Sequence, residues 1–150
     1  PGVYAVGDVN GLCQLAHAAT FQALHVLHHI RGEQDAIRLD IVPAAVFTSP
    51  EVAMVGFTEE TCKERGIACR VLKSFYRANG KALAMNADEG LVKLLTDEND
   101  RILGAHILGA HASDLIHEVV VMMNLGVPAG RLRDVVHAHP TLSELLLHLA

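Results

Sequence analysis

Hydrophobic and polar positions form short apolar runs and helical repeats from the start of the chain. The apolar run 3–6, followed by a Gly-Asp pair, predicts a short buried strand that closes on a tight turn. The segment Leu15–Ile30 is rich in Ala, Leu and His and predicts a helix that ends at Gly32. Polar residues then lead to Pro43, where we expect a link into a second unit.

From residue 44 onward the pattern is that of a sheet with a few helices. Alternation over 91–95, followed by the acidic turn 96–100, predicts a hairpin. Apolar residues at helical spacing predict a helix over 112–125. Other patterns predict two strands around Ser49-Pro50, a helix from Thr58 to Gly66, a strand in IACRVLKSF, a turn and a strand in NGKALAM, a helical turn near Leu132 and a last helix. This order predicts an α+β fold, an antiparallel sheet with helices mainly on one side.

The composition is apolar and weakly acidic. The 150 residues, of which 51% are hydrophobic, are enough for a domain with its own core. No apolar run approaches the roughly 18 residues of a membrane-spanning helix, so we expect the surplus of apolar side chains to form a subunit or domain interface. The net charge of -5 argues against a nucleic-acid surface. We therefore expect neither membrane nor nucleic-acid partners.

The cysteines indicate a reducing compartment. The chain has three cysteines, Cys13, Cys62 and Cys69, and no C-x-x-C pair. An odd number without this spacing makes a poor disulfide framework and a poor zinc site. We therefore expect a cytoplasmic protein. There is no pattern of a signal or transit peptide, and the chain begins without Met inside a strand-like pattern, so we expect it to be part of a longer protein.

The segment HAHPTLSE, near the end of the chain, has two interpretations. In the structural one, Thr141 is the N-cap of the last helix and Glu144 completes a capping box. In the catalytic one, Glu144 binds one nitrogen of His139, which fixes the tautomer and leaves the other nitrogen free to move a proton. Pro140 restricts the backbone of His139, and their peptide bond is a candidate for the cis form. We expect that Glu144 cannot fully serve both the cap and the imidazole.

A second candidate site lies near the start of the chain. Asp8 follows a predicted strand, at the kind of sheet edge where open α/β folds bind ligands, and its carboxylate can accept hydrogen bonds from sugar-like hydroxyls. The helix beginning near Leu15 would point backbone N–H groups and its positive dipole end at an electron-rich group. The alternative is a solvent-facing aspartate in an ordinary turn.

The ten histidines raise the possibility of a metal site. His25, His28 and His29 share one face of the predicted helix, but no third ligand accompanies the pair of His25 and His29. The segment HEVVV lacks the second histidine of H-E-x-x-H. We therefore assign no metal.

Five segments, in their order along the chain, resemble the flavin-dependent pyridine nucleotide–disulfide oxidoreductases. They are YAVGDV, LAHAA, VFTSPEVAMVG, GLVKLLTDENDRILGAHILG and HAHPTLSE, and they extend from Val3 to around Leu146. HAHPTLSE, SPEVAMVG and ILGAHILG are most similar to the dihydrolipoamide dehydrogenase branch. The resemblance covers nearly the whole chain but only the C-terminal part of such an enzyme.

The resemblance implies that residues 1–42 are the last part of an FAD-binding domain. Asp8 matches the family's aspartate that holds the ribityl chain of the flavin. Leu15 and Ala16 match backbone positions near the isoalloxazine ring. FAD and NAD are therefore the cofactors expected for the complete enzyme.

The resemblance also implies that residues 43–150 are the dimerisation domain of a homodimer. His139 matches the family's catalytic base and Glu144 its orienting partner. In that family the histidine acts in trans, on the flavin–disulfide site of the other subunit. It takes a proton from a dithiol substrate such as dihydrolipoamide, and electrons pass through the disulfide and FAD to NAD.

Other parts of such an enzyme are absent from this sequence. The redox disulfide, the first G-x-G-x-x-G and the nicotinamide domain are not in it, so we expect the isolated chain to be inactive. The alternatives are an NADPH-dependent, glutathione-reductase-like disulfide reductase and a non-catalytic dimerisation module in which HAHPTLSE only caps a helix. A histidine-based metal-binding protein is a third.

Overall fold

The structure is a computed structural model that describes residues 2–149. The chain divides into two compact units, Pro1–Val42 and Pro43–Ala150. The helices are α1 Ala16–Arg31, α2 Glu59–Glu64, α3 Gly80–Ala84, α4 Ala112–Leu125 and α5 Glu144–Leu147. The strands are β1 Ala44–Val46, β2 Val52–Gly56, β3 Arg70–Phe75, β4 Leu91–Thr96 and β5 Ile102–Leu108. Short 3-10 turns cover Gly7–Asn10, Tyr76–Ala78 and Ala129–Asp134.

The first unit is helix α1 and the turn before it. α1 ends as expected, because Gly32 takes a left-handed conformation with φ 70° that is costly for other residues. The predicted strand at 3–6 does not form, and Val3 is 92% exposed. A strand needs a neighbour for its backbone hydrogen bonds, and no other strand lies in the described part of this unit. The turn instead hydrogen bonds to α1, since the amide oxygen of Gln22 accepts the N–H of Gly7 at 2.8 Å.

The second unit contains one antiparallel sheet of five strands in the order β1-β2-β5-β4-β3. The predicted hairpin forms its centre, with β4 and β5 both flanked by other strands. On one face, Val55 opposes Ala105, and Ala105 opposes Leu94. All three side chains are 0–1% exposed. The core therefore lies against this face of the sheet.

Helix α4 packs against β1, β2 and β5 and spans the residues predicted for it. Its N-cap residue His111 has a left-handed backbone and provides no side-chain cap. Glu51 supplies one from the sheet, because its carboxylate oxygen accepts the backbone N–H of Ser113 at 3.0 Å and the hydroxyl at 2.7 Å. The negative charge also suits the positive end of the helix dipole. The position of α4 on the sheet is thus fixed by polar contacts as well as by its apolar face.

The segment NGKALAM forms helix α3 and not the predicted strand. Asn79 is its N-cap and accepts the N–H of Ala82 at 2.9 Å, which favours a helix over an extended chain. The amide nitrogen of Asn79 donates to the carbonyl of Thr141 at 3.0 Å. The cap of α3 therefore also holds the segment that precedes α5.

The turn of the central hairpin is tied to the 3-10 turn Ala129–Asp134. Asp100, at the tip, accepts the N–H of Gly130 through its carboxylate at 2.5 Å and the N–H of Ala129 through its carbonyl at 2.9 Å. Arg70 of β3 forms an ion pair with the same carboxylate at 2.7 Å. The hairpin tip thus anchors the start of the segment that leads to HAHPTLSE.

The fold class predicted from the sequence, α+β with an antiparallel sheet, is confirmed. Helix α5 meets the core face, since the hydroxyl of Ser74 donates to the carbonyl of Leu145 at 2.7 Å. Helix α2 is tied to Lys93 on the opposite face through Glu59, with 2.8 Å between the charged atoms. In the described residues no helix has the length and apolarity to cross a membrane.

Candidate active site

His139 lies in a loop between the turn Ala129–Asp134 and helix α5. Within this loop, residues 136–138 form neither helix nor strand. The side chain of His139 is 78% exposed. The peptide bond between His139 and Pro140 is cis, as hypothesised from the sequence. The imidazole is therefore accessible to a group that approaches from outside this unit.

Glu144 binds His139 and the backbone before α5 at the same time. Its Oε1 lies 2.9 Å from Nδ1 of His139, and its Oε2 accepts the N–H of Thr141 at 2.8 Å. The expectation that Glu144 must choose between cap and imidazole is wrong, because its two oxygens accept from two different donors. The N–H of Thr141 and then the ring of His139 lower the pKa of Glu144 below its ordinary value, so the carboxylate is ionised at neutral pH.

Only half of the predicted capping box forms. Thr141 was predicted as the N-cap, but α5 begins at Glu144 with Ser143 as its N-cap residue and no side-chain cap. The hydroxyl of Thr141 donates instead to the carbonyl of Ala138 at 2.7 Å. This bond closes the turn around Pro140. The threonine therefore shapes the loop that carries the histidine.

The contact with Glu144 determines what His139 can do. An ionised carboxylate only accepts hydrogen bonds, so Nδ1 of His139 carries a proton toward it, and in the neutral ring the lone pair is then on Nε2. When Nε2 takes up a proton, the nearby negative charge stabilises the imidazolium. The pair has the geometry of a general base with an orienting carboxylate.

The sequence analysis missed the neighbouring histidine, His137. Its side chain is only 5% exposed, with Nε2 2.7 Å from Oε1 of Glu118 and Nδ1 2.9 Å from the carbonyl oxygen of Val135. Glu118 belongs to α4, and no sequence pattern relates it to a loop 19 residues later. The one available signal was the H-x-H spacing, but on an extended segment residues i and i+2 point to the same side, so the spacing alone does not predict one buried and one exposed ring.

The residues predicted to bind a cofactor all lie in the first unit. Asp8 is exposed and lies in the turn Gly7–Asn10, which no strand precedes. Leu15 is the N-cap residue of α1 and Ala16 its first residue, and no side chain caps this end. A helix N-terminus without a side-chain cap can direct backbone N–H groups at an electron-rich ligand. One exposed carboxylate and one uncapped helix N-terminus fit part of a flavin site.

Two of the histidines of α1 lie close to one carboxylate. Nδ1 of His25 and Nδ1 of His28 lie 2.9 and 3.3 Å from the same carboxylate oxygen of Asp35. Within residues 2–149, no group of three or more His, Cys, Asp or Glu side chains is arranged to hold a metal ion.

The sequence matches the family profile described as "Pyridine nucleotide-disulphide oxidoreductase, dimerisation domain" over residues 42–150. Among curated relatives, mitochondrial dihydrolipoyl dehydrogenase 1 of Arabidopsis thaliana is 45% identical over 151 residues, covering 100% of this chain and 30% of the relative. Leghemoglobin reductase of Glycine max is 41% identical over 150 residues, covering 99% of this chain and 29% of the relative. The chain thus spans less than a third of the length of these relatives.

Solved structures have the same fold. LpdA from Mycobacterium tuberculosis superposes with a TM-score of 0.91 at 30% identity, over 99% of this chain and 33% of that one. The HOCl-induced flavoprotein disulfide reductase RclA from Escherichia coli gives a TM-score of 0.86 at 32% identity, over 97% and 34%. Together with the match over 42–150, these similarities show that the chain belongs to the pyridine nucleotide–disulfide oxidoreductase family and includes its dimerisation domain.

Proposed function

We propose that this chain is the C-terminal part of an FAD-dependent dihydrolipoyl dehydrogenase, which oxidises a dithiol to a disulfide and passes the electrons to NAD. The observation that carries the proposal is the pair of His139 and Glu144, an exposed imidazole with one nitrogen held by an ionised carboxylate. The names of the relatives supply the substrate class, since several are dihydrolipoyl dehydrogenases.

His139 would act as the base in this reaction. A dithiol that becomes a disulfide loses two electrons and two protons, and thiolate is the form that attacks a sulfur. Nε2 of His139 takes the proton of the attacking thiol, and Glu144 stabilises the resulting imidazolium. In the reverse direction the same imidazolium returns the proton to the leaving thiolate.

The second copy of the chain is the partner that we propose. An open groove of about 570 Å³ is lined by apolar side chains of α4 and the loop, and it extends to Ala138 and Thr141, the neighbours of His139 and Pro140 in the chain. Val136 is 97% exposed. Because an apolar face of this kind is stabilised by a partner, the second subunit of the homodimer would cover it. His139 would then lie at the edge of the interface. The base then serves the partner's site.

FAD fits the residues of the first unit. Asp8 would hold the sugar-like chain of the cofactor, and the N–H groups at the start of α1, near Leu15 and Ala16, would face its ring. FAD supplies an acceptor for two electrons, which no ordinary side chain provides. NAD rests on the family alone, since its binding domain is not part of this chain.

The free thiols agree with a cytoplasmic location, which we also propose. Cys13, Cys62 and Cys69 form no disulfide with one another. Free thiols are typical of proteins kept in a reducing compartment.

A second candidate is a reductase that acts on a different disulfide. It is favoured by the similarity to RclA, a flavoprotein disulfide reductase, over 97% of this chain. The same base would then protonate a leaving thiolate. The two candidates differ in substrate and direction, and both need His139.

The test uses the full-length enzyme that contains this chain. The variant His139→Gln should slow the NAD-dependent oxidation of dihydrolipoamide by about 10²- to 10⁴-fold, the usual contribution of a general base. His117→Gln, at an exposed position on α4, is the matched control and should keep the wild-type rate. Equal rates for His139→Gln and wild type would contradict the proposal. A disulfide other than lipoamide that turns over faster would favour the second candidate.

A further inference from the structure

Both ring nitrogens of His137 face hydrogen-bond acceptors. Nδ1 lies 2.9 Å from the backbone oxygen of Val135, and Nε2 lies 2.7 Å from a carboxylate oxygen of Glu118. A carbonyl cannot donate, so Nδ1 must carry a proton. A second proton must then lie between Nε2 and Glu118, since two acceptors at this distance without one would repel each other. The proton at Nδ1 thus serves the contact with Val135 and the second proton the contact with Glu118, and loss of either proton would break its contact.

The surroundings of His137 favour this extra proton. Burial disfavours a charged ring, but the hydrogen bonds to Val135 and Glu118 outweigh it and raise the pKa of His137 above its ordinary value. Glu118 faces the ring from α4, and Glu144 adds a further negative charge from α5. Arg131 also lines this groove, from the 3-10 turn, and its guanidinium is paired with Asp134 at 3.4 Å. The charges that act on the ring of His137 are thus two carboxylates.

The contact connects a segment without regular structure to a rigid element. Residues 136–138 have no helix or strand hydrogen bonds, whereas Glu118 belongs to α4, which packs on three strands of the sheet. His139 lies two residues beyond His137, at most about 7 Å along the chain. On the other side, Thr141 and Glu144 hold the loop. Without the contact to Glu118, residues 136–138 lose their side-chain hydrogen bond to α4.

We propose that His137 and Glu118 are positioning residues for His139: the pair ties the loop to α4, so that the imidazole of His139 is presented at a fixed place. This proposal rests on the proposed function of His139 as a base. The side chain of His137 is 5% exposed and therefore too buried to meet the substrate, and the carboxylate of Glu118 is bound to it at 2.7 Å. The pair of His137 and Glu118 would affect the reaction only by fixing the position of His139.

The experiment compares three variants in the full-length dimeric enzyme. Glu118→Ala removes the partner of His137, Glu118→Gln keeps a side chain that can hydrogen bond to the ring, and His137→Ala removes the ring. Two rates are measured for each: oxidation of dihydrolipoamide, and reduction of a small quinone by NADH. The quinone reaction requires no proton transfer from a thiol, so it reports on folding and flavin binding alone. Size-exclusion chromatography measures the dimer.

We expect Glu118→Ala and His137→Ala to lower kcat for dihydrolipoamide by on the order of 10- to 100-fold, since a displacement of about 1 Å has effects of this size. The quinone reaction and the dimer should not change, and Glu118→Gln should restore kcat to within about threefold. Residues with a merely structural role would lower both reactions together. Should His137→Ala fail to fold, Glu118→Ala and Glu118→Gln alone decide the question.

The result that overturns the proposal is a folded Glu118→Ala enzyme with the wild-type kcat for dihydrolipoamide. The variant His139→Gln, measured in parallel, separates this result from a failure of the proposed function. If His139→Gln is slow and Glu118→Ala is not, the pair does not position the base. If His139→Gln is as fast as wild type, the base itself was wrongly assigned, and the positioning proposal is overturned with it.

Discussion

His137 and His139 lie two residues apart in one loop, and their side chains are 5% and 78% exposed. Each is bound to a glutamate, His137 to Glu118 at 2.7 Å and His139 to Glu144 at 2.9 Å. The buried ring has both nitrogens engaged, whereas the exposed ring keeps Nε2 free. Under the proposed function, His137 would hold the loop in place and His139 would exchange the proton.

The first prediction separates the two contacts of Glu144. Glu144→Gln keeps an oxygen for the N–H of Thr141 but loses the charge that stabilises protonated His139. Oxidation of dihydrolipoamide should fall less than in His139→Gln, by on the order of tenfold, with little change in the thermal midpoint. If Glu144→Gln lowers the midpoint and leaves the rate unaltered, the carboxylate acts as a helix cap alone.

The second prediction concerns acid stability and Glu51. The N–H and hydroxyl of Ser113 lower the pKa of Glu51 below its ordinary 4.5. In the unfolded chain the ordinary value returns, so the unfolded state binds more protons and the free energy of unfolding falls as the pH drops through the folded pKa. Glu51→Gln should lose about 1 kcal/mol at pH 7, the usual value of a helix cap, and less at pH 3. Urea denaturation at both pH values measures this.

The control for that experiment is Glu98→Gln, a change at an exposed position. Its free energy of unfolding should stay within about 0.5 kcal/mol of wild type, as for most surface substitutions. An equal loss in both variants would mean that Glu51 does not cap α4.

The third prediction concerns the contact between Gly109 and Tyr76. A Cβ at position 109 would lie 2.4 Å from the Tyr76 ring, and φ is 148° there. The ring cannot move away easily, because it is buried and its hydroxyl donates to the carbonyl of Ala110 at 2.8 Å. Gly109→Ala should therefore destabilise the protein by about 1–3 kcal/mol, the cost of overpacking, with backbone strain in addition.

Gly80→Ala is the matched control for Gly109→Ala. No atom lies within 4 Å of a Cβ at Gly80, which is in helix α3. Alanine should be neutral or stabilise by up to about 1 kcal/mol there. Thermal unfolding of both variants checks the comparison. A Gly109→Ala protein as stable as Gly80→Ala would contradict the described packing of Tyr76.

Local patterns predicted the long elements of the fold and missed those that depend on distant contacts. The span 112–125 was read as a helix because its apolar positions repeat along the chain, and α4 forms there. The run 3–6 lacks a partner strand, which the sequence of the run cannot reveal. NGKALAM forms a helix because Asn79 caps it, whereas the sequence analysis predicted a turn followed by a strand there.

The candidate site was predictable only as far as its residues are neighbours in sequence. His139 and Glu144 are five residues apart, so their contact could be proposed from spacing. Glu118 and His137 are brought together by the packing of α4 beside the loop, which no local pattern encodes. The split role of Glu144 was also missed, because spacing shows which groups can meet but not that one carboxylate can serve two donors.

The hydrogen bonds of Asp100 at the tip of the hairpin formed by β4 and β5 limit where this chain can accept inserted residues. Hairpin tips are ordinarily among the places where a protein tolerates inserted residues. Asp100 removes that freedom, because its carboxylate and carbonyl hold Gly130 and Ala129 at the beginning of the segment that leads to the two histidines. Residues inserted at this turn would also displace that segment. A tag is therefore better placed elsewhere on the chain.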